Sequence, residues 1–350
     1  MRRRFASSLA ALALLASGVI GTSVNPAAAA PAAPPAATTA ADKADPTATV
    51  ASIPLPGKPA TTKADKVLPK TAKQFKRPPA NPVTAKAKAS SKLLTSCAPA
   101  ACYYYNTGSQ GFSSGTYPDG IFANLSLHNP GLDTSRDYHT LAELAAIKTV
   151  GGTRQIVEVG WNVDQVVNGN TSTHLFVYHW VNGATSCYNG CGFVAAGGAT
   201  YTAGQVLTGS SIRFGIQYTS GNWWIWVGTT AGVGSWIGYF PATLWTGAIP
   251  AVNTFTNLDN PQVFGEVAAG NMPDSQVCTR MGDGVNLGSA TAGASIGSVL
   301  YPNLATSAVN LGVWEASNPN AGTIVNYEPY RASARTLRYG GPGAGPPGSC

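Results

Sequence analysis

The sequence predicts an all-β fold: an antiparallel β-sandwich with one short helix at most, stapled by disulfide bonds. Two observations lead to this class. Short runs of alternating apolar and polar residues recur along the chain, and glycine, proline, asparagine and serine separate these runs. Long helical patterns are absent from residue 93 onwards. Many short strands joined by turn residues are typical of two packed antiparallel sheets.

The predicted strands follow from this period-two alternation. Residues 212–218 alternate strictly, and residues 223–227 return after a turn as the second arm of a hairpin. Further strands are predicted at residues 153–163, 173–181, 235–240, 262–267 and 322–327. A helix is expected at residues 140–147, because Thr140 and Glu143 have the spacing of a capping box, and this gives Glu143 a structural role.

The N-terminal part of the chain is expected to lie outside the folded domain. Residues 1–30 have the layout of a secretory signal peptide, with Arg2-Arg3-Arg4 ahead of an apolar stretch and then small residues. Residues 31–93 have no strand or helix period, so we expect a disordered Ala/Pro/Lys-rich linker or a removable pro-segment that acts as an inhibitory lid. Residues 94–350 then form one secreted, extracellular domain.

Charge is divided unevenly along the chain. Residues 1–92 hold fourteen Lys/Arg and three Asp, a net charge of +11, whereas residues 93–350 hold eight Lys/Arg and twelve Asp/Glu, a net charge of −4. The folded part has a single lysine, Lys148, so it lacks the clustered basic surface of a nucleic-acid-binding domain. No segment after the signal is apolar for long enough to span a bilayer. We expect a monomer without nucleic-acid or membrane partners.

The cysteine pattern predicts disulfide bonds. All six cysteines lie in the part expected to be exported, where an even count is typical of bridged pairs. Cys187 and Cys191 flank a tight Asn-Gly turn, Cys97 with Cys102 would close a second small loop, and Cys278 would staple the tail through Cys350. No histidine stands at metal-ligand spacing from these pairs, so neither a metal nor another cofactor is expected.

Two of the five glutamates lie inside apolar, strand-like runs. A carboxylate among β-branched and aromatic residues is disfavoured by desolvation, so Glu158 and Glu266 indicate a carboxylate pair that projects from one sheet. Such a pair can divide acid and base roles, and both residues are therefore predicted to be catalytic. Gly160 is expected to leave room for a ligand backbone beside Glu158. Because side chains alternate along a strand, Ile156, Gly160 and Asn162 lie on the same face as Glu158, and Gln262 and Phe264 lie on the same face as Glu266.

Other chemistries fit the sequence less well. The pattern G-x-S-x-G surrounds Ser113 and Ser295, but neither copy lies between a clear strand and a clear helix. Glycoside hydrolysis also uses two carboxylates, so a carbohydrate-binding or glycan-hydrolysing module at the cell wall remains the alternative function. A structural alternative is that each glutamate pairs with an arginine. The aromatic residues that would stack on sugars are Trp223, Trp224, Trp226, Trp236 and Trp245.

Several short segments between about residue 139 and residue 284 form a recognisable series. They are HTLAE (139–143), IVEVGW (156–161), HLFVYHWVNG (174–183), CYNGCGFV (187–194), GNWWIWVG (221–228), WIGYFPATLW (236–245), FGEV (264–267) and TRMGDG (279–284). In this order they resemble the neprosin domain, a family of secreted glutamic peptidases. The resemblance implies a β-sandwich endopeptidase that cleaves proline-containing peptides after proline, at acidic pH and without a metal. It places the catalytic glutamates at Glu158 and Glu266. Phe264 stands where the family usually has a second glycine.

The mechanism expected for this pair is activation of water. Glu158 and Glu266 would face each other and hold one water between them. Two nearby carboxylates resist being ionised together, so they would share one proton, with one pKa raised. The ionised partner would take a proton from the attacking water, and the protonated partner would donate to the oxyanion or to the leaving nitrogen. The sequence leaves open which glutamate takes which role.

Overall fold

The computed structural model describes residues 55–59, 66–67, 102–246, 255–270, 277–285, 293–304, 308–310, 315–317 and 327–344, with the backbone alone for 66–67, 308–310 and 315–317. The elements in chain order are β1 (Lys66–Val67), β2 (Cys102–Ser109), β3 (Gly120–Ser126), β4 (His139–Val150), β5 (Thr153–Val163), α1 (Gln165–Asn168), β6 (His174–Val181), β7 (Ala184–Thr185), β8 (Val194–Ala195), β9 (Ser211–Thr219), β10 (Asn222–Gly228), β11 (Gly234–Pro241), α2 (Thr243–Thr246), β12 (Gln262–Ala269), β13 (Ala294–Asn303), β14 (Ala308–Asn310), β15 (Glu315–Ser317), β16 (Tyr330–Ser333) and β17 (Thr336–Tyr339).

These strands form two antiparallel sheets, so the predicted all-β class is confirmed. The sheet that we call the front sheet has seven strands, in the order β15-β2-β12-β4-β5-β6-β7. The back sheet has ten strands, in the order β1-β8-β11-β10-β9-β3-β13-β17-β16, with β14 beside β13. Antiparallel neighbours separated by short turns suit a chain rich in glycine and asparagine.

The main core lies between the two sheets. On β5, Val157, Val159 and Trp161 point into it, and on β9 Phe214 and Ile216 meet them from the back sheet. The alternate residues of the front-sheet strands point away from the back sheet and form a second buried apolar cluster. The front sheet is therefore covered on both faces, so its central strands are apolar on both sides and not only on one.

The segment predicted to be helical is strand β4, so the helix expected at 140–147 is wrong. Leu144 and Ala146 join the core between the sheets, while Leu141 and Ala145 join the second cluster on the outer face. Strand β4 pairs along its length with β12 on one side and β5 on the other. These two hydrogen-bond ladders and burial on both faces outweigh the helix propensity of its Ala, Leu, Glu and Lys residues.

The other strand predictions agree with the structure to within two residues at each end, except one. The strand expected at 322–327 lies almost entirely outside the described residues. The hairpin of β9 and β10 has the predicted pairing, with Thr219 opposite Asn222 across the turn. In the part of the chain that the structure describes, the two helices, α1 and α2, each span four residues.

The disulfide prediction is confirmed for Cys187 and Cys191, whose Cα atoms lie 5.7 Å apart. Cys102 and Cys278 are also bonded in disulfides. Their predicted partners, Cys97 and Cys350, lie outside the described residues, so those two pairings stay predictions. The bridge across residues 187–191 closes the loop that follows β6 and β7, and this loop folds over the outer face of the front sheet, where Tyr188 packs.

A short piece of the N-terminal segment lies against the back sheet. Leu55 packs on its outer face against Phe122 and Leu300, and Nε1 of Trp236 donates a 2.8 Å hydrogen bond to the carbonyl of Gly57. Strand β1 adds to the edge of the same sheet by pairing with β8. The remainder of residues 31–93 lies outside the described residues, so the choice between linker and pro-segment stays a prediction. Among the described residues, no helix is long and apolar enough to cross a bilayer.

Candidate active site

Glu158 and Glu266 lie on the same face of the front sheet, the face that points away from the back sheet. Glu158 is on β5 and Glu266 on β12, with β4 between the two strands. Glu158 stands opposite Ala145 of β4, and Glu266 stands opposite Leu141. Both side chains are 0% exposed. The structure therefore brings the two glutamates onto one buried surface, although 108 residues separate them in the sequence.

A third glutamate lies on this surface, which we call the glutamate face after Glu143, Glu158 and Glu266. Glu143 is on the intervening strand β4, midway between Leu141 and Ala145, and is also 0% exposed. The capping role that the sequence suggested for Glu143 is wrong, because no helix forms there. As a strand residue, Glu143 projects toward the same side as the two predicted catalytic residues.

Glu266 has a buried cationic partner. It accepts a hydrogen bond of 2.7 Å from Nε2 of His139, and Nδ1 of the same ring lies 3.7 Å from Oδ2 of Asp164. Asp164 Oδ1 in turn accepts hydrogen bonds from the backbone N–H groups of Val166 and Val167 at the start of α1. Burial alone would lower the pKa of His139, but the carboxylates of Asp164 and Glu266 raise it to about 9. The resulting imidazolium favours the ionised form of Glu266.

Glu158 has a neutral partner instead. Nε1 of Trp180 donates a 2.9 Å hydrogen bond to its Oε1. Burial raises the pKa of Glu158 well above its ordinary value; the hydrogen bond from Trp180 lowers it, and the negative charge of Glu266 raises it further. The two predicted catalytic carboxyls thus differ in surroundings, since one faces a cation and the other an indole N–H. Environments that push two acids apart in this way are typical of an acid and base pair.

Glu143 is the least satisfied of the three glutamates. Neither of its carboxyl oxygens has a hydrogen-bond partner among the described residues. Burial raises its pKa well above the ordinary value, and the charges of Glu158 and Glu266 raise it further. A buried carboxyl without a cation or a donor is stable only in its protonated form. Glu143 is therefore a neutral acid beside the ionised Glu266.

Aromatic side chains surround the carboxyls on the glutamate face. Tyr105 stands opposite Glu266 on the neighbouring strand β2, and Tyr178 stands opposite Glu158 on β6. Burial raises the pKa of both tyrosines, and the charge of the facing glutamate raises it further, so both keep their O–H donors. Tyr188, on the loop closed by Cys187 and Cys191, packs edge-on against Tyr178 at 5.1 Å between ring centroids. The other aromatic members of the cluster are Phe176, Trp180 and Phe264.

Two glycines next to the glutamates serve the packing of the protein itself. A Cβ atom at Gly160 would lie 2.0 Å from the carbonyl oxygen of Ala142 and 2.8 Å from Cβ of Glu143. A Cβ atom at Gly265 would lie 2.1 Å from the ring of Tyr339 in the main core. The space that the sequence assigned to a ligand backbone at Gly160 is thus taken by strand β4, which needs this close approach to reach β5.

The structure disfavours the sugar-stacking and arginine alternatives. The buried arginines Arg213 and Arg335 donate hydrogen bonds to Asn124 and to the carbonyl of Val299, all in the back-sheet part of the fold. The hydrogen bond that Glu158 accepts comes from Trp180. The tryptophans considered for sugar binding do not belong to the apolar cluster around the two glutamates: Trp223 and Trp245 lie in the main core, and Trp226 and Trp236 pack on the outer face of the back sheet. Among the described residues, no group of three His, Cys, Asp or Glu side chains is arranged to hold a metal ion.

The neprosin family profile matches residues 139–342. The chain belongs to the neprosin family. The matched region runs from His139 on β4 past β17 and includes all three residues of the glutamate face. Membership supports a peptidase-related, hydrolytic role, and it confirms the family resemblance seen in the sequence motifs.

Among solved structures, the chain is similar to a β-porphyranase from the human gut bacterium Bacteroides plebeius. The two are 8% identical, with a TM-score of 0.19, and the similarity covers 48% of this chain and 65% of that enzyme. This chain therefore spans just under two thirds of that enzyme's length. A structural similarity this weak gives no support for activity on glycans.

Sequence reasoning missed three members of the site: Glu143 as a site residue, His139 and Asp164. Glu143 and His139 belong to β4, the strand that was expected to be a helix. If this segment is treated as a strand, alternate residues share one face: His139, Leu141, Glu143, Ala145 and Ile147. This alternation was the sequence signal that could have identified Glu143 and His139 as site residues. Asp164 carries a helix-capping signal ahead of α1, but nothing in the sequence joins it to His139.

The buried acids and His139 predict how stability depends on pH. Folded Glu143 and Glu158 retain protons above pH 4.5, the ordinary value at which the unfolded chain releases them, so stability falls as pH rises from there. His139 has a raised pKa, so its contribution is complete below 6.5 and is lost as pH rises through about 9. The midpoint of thermal unfolding, followed by circular dichroism, should therefore fall as pH rises from about 4.5 toward 9.

Glu143→Gln should flatten this profile, because glutamine occupies the same volume without a proton to retain. An exposed glutamate offers the matched control, and Glu328→Gln should leave the profile as it is in the parent chain. A midpoint that rises from pH 4 toward pH 9 would contradict the protonation states assigned to the glutamate face.

Proposed function

We propose that this protein is an exported glutamic endopeptidase in which Glu158 and Glu266 activate water, with a preference for cleavage after proline at acidic pH. The observation that carries the proposal is the placement of both glutamates, the two that the motifs align with the family's catalytic pair, on one buried face. Their charges act directly on each other, since ionised Glu266 raises the pKa of Glu158. Family membership supplies the hydrolytic chemistry.

The surroundings of the two glutamates suggest how the roles are divided. Glu266, next to the His139 imidazolium, is the carboxylate that takes a proton from the attacking water. Glu158, whose pKa is raised by burial, holds a proton at acidic pH and donates it to the leaving nitrogen. Tyr105 and Tyr178 keep their hydroxyl protons beside these carboxyls and are suited to donate to the oxyanion of the tetrahedral intermediate. Because burial raises the pKa of Glu158 well above its ordinary value, this acid stays protonated throughout the acidic range.

The aromatic cluster supports the proposed preference for proline. A pyrrolidine ring is apolar and packs well on aromatic faces, and the carboxyls are bordered by six such side chains: Tyr105, Phe176, Tyr178, Trp180, Tyr188 and Phe264. The same surroundings keep the carboxyls out of water, which strengthens their electrostatic interactions. Proline-containing peptides and proteins are the proposed substrates.

Burial of the carboxyls means that the site has to open before a substrate can bind. All three glutamates are 0% exposed, so a peptide reaches them only after the residues that cover them move. Among the described parts of residues 31–93, residues 55–59 and β1 contact the back sheet and not the glutamate face, so the pro-segment role stays a proposal from the sequence. The proposal of export rests on the signal-like residues 1–30 and agrees with disulfide bonding at Cys102, Cys187 and Cys278.

Replacement of either glutamate tests the proposed dyad. Protein incubated at acidic pH should cleave proline-containing peptides at about pH 3–5. Glu158→Gln and Glu266→Gln should each lower kcat by at least about a hundredfold, because each removes one partner of the acid and base pair. Peptide digests read by mass spectrometry give the rate and the cleavage position.

The control is Glu328→Gln, which changes an exposed glutamate and should retain the parent rate. Circular dichroism should show the same fold for all variants. Near-normal turnover by either site variant would reject the dyad, and cleavage of polysaccharide in place of peptide would support the glycan alternative.

Removal of the buried cation should move the acid limb of the pH profile. Without the positive charge of His139, Glu266 takes up a proton more readily, and a protonated Glu266 no longer accepts one from water. In His139→Gln, the fall of kcat/KM on the acid side should therefore occur about one pH unit or more higher than in the parent. The matched control is His128→Gln, since His128 bonds Ser126 in the back sheet. An unchanged acid limb in His139→Gln would show that the imidazolium does not keep Glu266 ionised.

A further inference from the structure

Glu143 lies midway between the two glutamates of the proposed dyad. Across the front sheet it stands between Phe264 of β12 and Gly160 of β5. Glu266 is two residues from Phe264 and Glu158 is two residues from Gly160, in opposite directions along β4. Diagonal neighbours of this kind lie about 7–8 Å apart at the backbone, within reach of long side chains. Glu158 and Glu266, by contrast, have a whole strand between them.

The side of Glu143 that borders β5 is free of a side chain. Its cross-strand neighbour there is Gly160, where a Cβ atom would lie 2.8 Å from the Cβ of Glu143. The absence of a side chain at position 160 lets β5 approach the backbone of β4 closely at Glu143. On the other side the neighbour is Phe264, whose ring packs against Tyr105 at 6.2 Å between centroids.

The carboxyl of Glu143 makes no hydrogen bond that would explain its burial by structure alone. Both of its oxygens are buried without a hydrogen-bond partner among the described residues, and so is Oε2 of Glu158. Burying such a group costs free energy that an apolar residue at the same position would avoid. No hydrogen bond holds the carboxyl of Glu143 in one orientation, so the side chain can turn toward the acid on either side.

We infer that Glu143 is the proton relay that resets the dyad between turnovers, a role that rests on the proposed function. Peptide hydrolysis leaves Glu266 with a proton gained from water and Glu158 without the proton it gave to the leaving nitrogen. The two must return to their starting states before the next substrate is cleaved. Because β4 separates them, a direct transfer would have to cross the position that Glu143 occupies.

The relay step is balanced without any further reactant. The O–H of Glu266 gives its proton to one oxygen of Glu143, while the proton on the other oxygen of Glu143 passes to Glu158. One O–H bond breaks and one forms at Glu143, which is a neutral acid before and after the step. Glu266 returns to its carboxylate and Glu158 to its protonated form. A carboxylic acid suits this role because it donates from one oxygen and accepts on the other.

The test compares the first turnover with the following ones. Glu143→Gln keeps the shape of the side chain but offers no acidic proton to pass on. With enzyme in excess, its single-turnover rate at acidic pH should stay within about threefold of the parent, because Glu158 and Glu266 are intact. Its steady-state kcat should fall by at least about tenfold, so a burst of product precedes a slow phase. Glu143→Asp retains an acid of shorter reach and should show a smaller burst.

Two results would reject the proton relay at Glu143. Equal losses in the single-turnover and steady-state rates, with an unchanged fold, would mean that Glu143 supports the chemical step or the packing and relays nothing. Unchanged rates in both Gln and Asp variants would mean that solvent resets the dyad. Glu328→Gln should show neither change. If Glu158→Gln and Glu266→Gln keep their activity, the proposed function fails, which is a different result from the failure of the relay.

Discussion

The hydrogen bond between His139 and Glu266 is the interaction on which the glutamate face depends. Three glutamates are buried side by side on that face, and in surroundings of low dielectric their charges would repel one another strongly. One buried imidazolium, His139, lies between two carboxylates, Glu266 on the face and Asp164 beside it. The other two carboxyls are stable only as neutral acids. A single cation thus decides how many protons the face holds.

The same arrangement joins the fold to the proposed chemistry. Strand β4 is central to the front sheet, and it carries both His139 and Glu143 while its neighbours carry Glu158 and Glu266. Rigid ladders on both sides of β4 hold these side chains in register, which is the preorganisation that acid and base catalysis requires. Replacement of Gly160 by a residue with a side chain would push β4 away from β5 and disturb the contacts of the glutamate face.

Much of the architecture could be predicted from the sequence, because alternation and turn residues are local signals. The strands around Glu158 and Glu266, their shared face and the bridge between Cys187 and Cys191 follow from such signals. Strand β4 could not be predicted in this way. A central strand buried on both faces loses its alternation, and its Ala, Leu, Glu and Lys residues favour a helix in isolation. The contact of His139 with Asp164 and Glu266 depends on tertiary structure alone.

A count of the protons on the glutamate face tests this arrangement of charges most directly. The chain has only five glutamates, so ¹³C labelling of glutamate carboxyls would give a spectrum simple enough to assign by single variants. At about pH 6, where an ordinary glutamate is ionised, this distribution of protons predicts a carboxylate shift for Glu266 and protonated shifts for Glu143 and Glu158. Carboxylate shifts for all three, or a protonated Glu266, would contradict it.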